Sequence, residues 1–161
     1  LILKDGRLSI NTRQCNVDAF VFSKHIERAD AAWQEGNLPE ATAQYGKAIN
    51  LYEGPLLPDD AASPLVISAR ERLQKAHAHA ALRLASVQAN LVQASDILSG
   101  AIDRETHSQE LYRELISSQL KLGHRVEGAR TYQRCLESLR ARGIAPEPET
   151  LAQQSSLELD T

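Results

Sequence analysis

Three stretches of this chain obey one spacing rule, and that rule leaves little room for any fold but stacked helix pairs. Gly36, Ala41, Tyr45 and Ala48 step by five, four and three residues. Ala89, Ala94, Leu98 and Ala101 repeat the steps, and so do Gly123, Gly128, Tyr132 and Cys135. A small residue closing one helix lets the chain turn tightly. Small residues on the next helix let it lie close to the first, and the large residue one turn on fills the space between them. Ala89 and Gly123 stand 34 residues apart. Gly36 and Ala89 stand 53 apart, the same period with 19 residues inserted. The loop Gly54-Pro55-Leu56-Leu57-Pro58-Asp59-Asp60, with a lengthened helix after it, absorbs the insertion.

From Asp18 onward apolar residues recur at helical spacing. Phe22, Ile26, Ala29 and Trp33 share one face of a helix over 18–35, with Asp18 as its N-cap. Further helices are predicted over 38–52, 64–89, 91–102, 108–122 and 125–141, and a short last one over 149–157 beyond Pro146 and Pro148. Tyr112 and Leu115 take the large apolar positions on the first helix of the third pair. The 34-residue period is that of the tetratricopeptide repeat. The expected fold is all-α: a tetratricopeptide-like right-handed superhelix of about three helix pairs plus a C-terminal helix. Ahead of it, Asp5-Gly6 between two short apolar runs predicts a β-hairpin over 1–3 and 7–10. Residues 1–16 then read as the end of, or link from, a preceding domain, and 17–161 as the repeat domain. Leu1 in place of an initiator Met reads as a cut from a longer protein.

Composition narrows the function classes. The 161 residues carry a net charge of −3, which argues against bulk electrostatic binding of nucleic acid. No apolar run is long enough to span a membrane. Cys15 and Cys135 lack a nearby partner, which fits a reducing cytoplasm, and Cys135 falls on a buried helix stripe as a packing residue. His77 and His79 stand two apart on a helix, point to different faces and share no metal. Asp59 and Asp60 form a carboxylate pair in a solvated loop. With no nucleophile–base pattern, phosphate loop or metal spacing, the chain is expected to be no enzyme and to need no cofactor or metal. Arg125, Arg130, Arg134, Arg140 and Arg142 stand against Glu127 and Glu137, a locally basic stretch read as a solvated outer face. The acidic tail over 143–161 is placed to dock on it.

Several local patterns converge on one family. They are Val17-Asp18-Ala19-Phe20; Gly36 with Ala41 through Leu51-Tyr52-Glu53-Gly54-Pro55-Leu56-Leu57-Pro58; and Ala69-Arg70-Glu71-Arg72-Leu73. Glu110-Leu111-Tyr112-Arg113-Glu114-Leu115, Leu122-Gly123, Tyr132-Gln133-Arg134-Cys135-Leu136 and Gly143-Ile144-Ala145-Pro146-Glu147-Pro148-Glu149-Thr150 complete the set. On these the chain resembles the bacterial transcriptional activator domain. It departs from the family pattern at Asp103-Arg104, where Asp-Pro is common, and at Pro64-Leu65-Val66, where a Trp is common. The resemblance implies a domain that follows a winged helix-turn-helix DNA reader, and the hairpin looks like the last wing of such a reader. It implies a cytoplasmic protein-interaction, oligomerisation and signal-coupling module of a transcriptional regulator. Its partners would be its own DNA-binding domain, another subunit (a homodimer included) or the transcription machinery. DNA would be met through the rest of the regulator, and no membrane is involved. Two other readings stay open: a generic tetratricopeptide scaffold for peptides or proteins, and a small-molecule sensor.

Stacked helix pairs leave a concave face lined by their first helices. Aligning the repeats places Ser23, Asp30 and Gln34 there from the first pair, His79, Arg83 and Ser86 from the second, and Arg113, Ser117 and Lys121 from the third. Such a mixed polar groove with a basic half suits an extended peptide or an acidic partner.

Overall fold

The computed structural model describes residues 2–4, 7–9, 17–59, 63–104 and 107–158. Its body is all-helical. The helices are α1 (Asp18–Gln34), α2 (Leu38–Leu51), α3 (Pro64–Ser86), α4 (Leu91–Asp103), α5 (Gln109–Lys121), α6 (Arg125–Arg140) and α7 (Pro148–Glu158). Each packs on its sequence neighbour, α3 also meets α1 and α5, and α7 lies on both α5 and α6. Segments Ile2–Lys4 and Arg7–Ser9 pair antiparallel, Leu3 opposite Leu8, and they pack chiefly on each other. The helical body is complete without them, so the expected hairpin is not supported as an element of the domain fold. Cys15 and Asp60 lie outside the described residues, while Asp59 is exposed.

The repeated positions are the core. Ala41, Tyr45 and Ala48 on α2, Ala94, Leu98 and Ala101 on α4, and Gly128, Tyr132 and Cys135 on α6 are all buried. Small residues at the first and last position of each set bring paired helices together, and the large middle side chain fills the gap. Burial pushes the Cys135 thiol up to about 11, so it packs as a small apolar group.

The turns show how the small closing residue works. Gly36 and Gly123 sit at φ +75° and +77°, where a Cβ is penalised. Their conformation lets Asn37 N–H reach Ala32 O and His124 N–H reach Gln119 O, each at 2.8 Å, closing α1 and α5 with the bonds of a left-handed helix cap. The third copy has Ala89 in that place. Ala89 does not take a positive φ, and the α3–α4 connection runs over 87–90, one residue longer than 35–37 or 122–124. Asn37 caps the N–H of Glu40 and Asn90 that of Val92.

A glycine contrast tests this account. Gly36→Ala and Gly123→Ala should each cost about 1 kcal/mol, because Ala is strained at their φ. Gly46, inside α2 with nothing within 4 Å of an added Cβ, should gain roughly 0.5–1 kcal/mol as Gly46→Ala. Urea denaturation of the three variants measures all of this, and equal effects of one sign would refute it.

A candidate interaction groove

Between α3 and α5, over a floor supplied by α3 and α4, lies an open groove of about 1250 Å³. Glu71, Lys75, His79 and Arg83 recur every four residues along α3, a single stripe that forms one lip. Glu110, Arg113, Glu114 and Lys121 on α5 form the other. The floor is small and apolar, with Ala78, Ala85, Ala94 and Leu98.

One end of the groove is built from a cross-repeat cluster. The Asp30 carboxylate on α1 accepts hydrogen bonds from the Tyr45 hydroxyl on α2 and from His79 Nε2 on α3, the latter at 2.9 Å. Tyr45 is 1% exposed, and burial, then the Asp30 carboxylate, push its phenol well above the ordinary range. It stays a neutral donor. The Arg83 guanidinium lies 4.5 Å from the centre of the Trp33 ring, a cation–π contact.

The other end is partly filled by the chain itself. Pro146 and Pro148 disfavour helical backbone at Ala145 and Glu147, and residues 144–147 run without helix between α6 and α7. Ile144 and Glu147 thereby reach the groove. Gln109 brackets this backbone: its Nε2 donates to Ala145 O at 3.4 Å, and its Oε1 accepts from Glu147 N–H at 2.9 Å. Arg113 donates to the Glu147 carboxylate and, at 3.0 Å, to the hydroxyl of fully buried Thr150. The far end of α7 is held by Arg125, which donates to Leu157 O at 2.7 Å. Gly128 admits α7, since a Cβ there would meet Leu157 Cδ2 at 3.2 Å. The acidic tail thus docks on α5 and the first turn of α6. Further along α6, Arg134 pairs with Asp103 at 2.8 Å instead, and Arg130 is exposed.

The nine residues anticipated for the concave face divide as follows. His79, Arg83, Ser86, Arg113 and Lys121 line the groove. Asp30 stands behind His79 as its partner. Ser23 bonds back to Ala19 O on its own helix at 2.9 Å, Gln34 is exposed at the end of α1, and Ser117 is half-buried beside the groove residue Ser118. Trp33, Gln109 and Glu147 were not anticipated. The four-residue stripe from Glu71 to Arg83 was the signal available for the α3 lip. Nothing in the sequence marked Gln109, whose partners are 36 and 38 residues away.

Among the described residues, no three His, Cys, Asp or Glu side chains converge on a point that would hold a metal ion. No helix among them is long and apolar enough to cross a membrane. The family model for the bacterial transcriptional activator domain matches residues 17–157. No curated protein and no solved structure matches the chain.

Proposed function

The chain belongs to the bacterial transcriptional activator domain family, and from that premise we propose that it is the protein-interaction and signal-coupling domain of a transcriptional regulator. It is not the main DNA reader. The domain starts at residue 17, where the family match starts, and residues 1–16 join it to a DNA-binding domain. Its helix pairs wind as a tetratricopeptide-like right-handed superhelix, and it works in the cytoplasm, where the promoter is. Its partners are that DNA-binding domain, a second subunit or the transcription machinery. The observation that carries this reading is the open groove between α3 and α5, which has charged lips and an apolar floor. Such a surface serves recognition of a chain segment.

Duplex-DNA binding over a salt series tests it, with this 161-residue chain beside the intact regulator. The intact regulator is expected to bind with a steep salt slope and the chain alone to show none. Salt-dependent binding by the chain alone would make the arginines of α6, Arg130 first, a DNA contact and overturn the assignment.

A further inference from the structure

The groove marks the one junction where neighbouring first helices are left unclasped among the described residues. Asp30 and His79 tie α1 to α3, and Arg113 ties α5 to the segment entering α7. Across the groove no hydrogen bond or ion pair joins α3 to α5 among the described residues.

The filled end shows what chemistry these lips select. There one primary amide, Gln109, reads the backbone of a non-helical segment, and one guanidinium, Arg113, reads its carboxylate. Charge-assisted arginine contacts of this kind are among the stronger hydrogen bonds. Arg83 presents the same group on the opposite lip. Its guanidinium already rests against the Trp33 ring, at 4.5 Å from the ring centre. No carboxylate among the described residues pairs with it. Lys75 on the lip of Arg83 and Lys121 on the other add positive charge, while Glu71, Glu110 and Glu114 repel an acid placed beside them. The lips therefore favour a carboxylate at Arg83 over one beside Glu71, Glu110 or Glu114.

We propose that the open stretch of the groove receives an extended acidic segment of a partner protein, with one carboxylate on Arg83 as that of Glu147 lies on Arg113. Its backbone runs over Ala78, Ala85 and Ala94. The proposal rests on the reading of this domain as an interaction module and names the chemistry of its partner.

The test is a random octapeptide library displayed on phage and panned against the 161-residue chain. Asp or Glu should be enriched at a fixed position. A resynthesised, fluorescein-labelled binder should lose roughly tenfold in affinity when Arg83→Gln is introduced, and as much when its own acid becomes the amide. Added salt should weaken it. Lys121→Gln, at an exposed position, should weaken it about twofold to threefold and serves as a second variant whose folding is not at risk. Circular dichroism melting checks that Arg83→Gln is folded. An absence of enriched peptides, enrichment without acids, or affinity indifferent to Arg83→Gln each overturns the proposal. If the intact regulator still captures a protein partner through this domain in that event, the interaction role stands and the groove chemistry falls.

Discussion

Lowering the pH from 7 to 4 destabilises this chain by up to about 3 kcal/mol through a single residue, His77, and His77→Phe removes that component. His77 is 0% exposed, and its ring stacks on Tyr52 with centroids 4.2 Å apart. Neither ring nitrogen has a hydrogen-bond partner. Burial, with Arg104 nearby as the smaller cause, lowers its pKa from 6.5 to about 4. The unfolded chain thus takes up the proton first. Stability is complete above pH 6.5, falls as the pH drops toward 4, and flattens below. Phe keeps the ring and the stack and removes two unpaired buried nitrogens, so at pH 7 it should be neutral or stabilising. Urea denaturation of both proteins at several pH values measures the difference, which also cancels the carboxylates they share. Parallel stability profiles would show that His77 does not titrate as its burial requires.

Replacing Tyr45 by Ala has a larger effect, with an expected loss of about 4 kcal/mol. Its ring fills the space between α1 and α2, near Trp33 at 6.3 Å and edge-on to His79 at 5.9 Å. The two neighbours lie on α1 and α3, so one side chain joins the first helix pair to the second. Tyr45→Phe keeps the ring and loses the hydrogen bond to Asp30, whose carboxylate can turn to water. That change should cost only about 1 kcal/mol. In a stacked-repeat chain a cavity at one junction also weakens coupling between neighbours. Tyr45→Ala should therefore lower the denaturant slope as well as the midpoint. A loss below 1 kcal/mol with the slope unchanged would mean that the junction does not depend on this ring.

The period of small and large residues was enough to specify the helices and their pairing. Tyr45, Leu98 and Tyr132 are buried at the equivalent positions that their shared spacing requires. The predicted helix ends fall within three residues of the observed ones, the largest miss being the end of α3, placed at 89 and found at Ser86. Ala89 explains that miss, because the turn uses an extra residue where glycine is lacking. The family, too, was legible in local motifs such as Leu51-Tyr52-Glu53-Gly54-Pro55, since these combine a helix end with a fixed turn.

The groove was legible only in part. Helical periodicity puts Arg83 and Arg113 on the same face of their own helices, and that much is local. It does not say that Asp30 would meet His79, 49 residues away, or that Glu147 would reach Arg113 across 34. It sets His77 and His79 on different faces of α3, but it does not say that His77 would be fully buried in a stack on Tyr52. Those outcomes depend on the angle and offset at which one helix pair stacks on the next. Helix spacing is a property of a few consecutive residues, and these residues carry it wherever the segment packs. Which side chains share a surface is decided by the summed packing of all seven helices among the described residues, and by the turns that set their register.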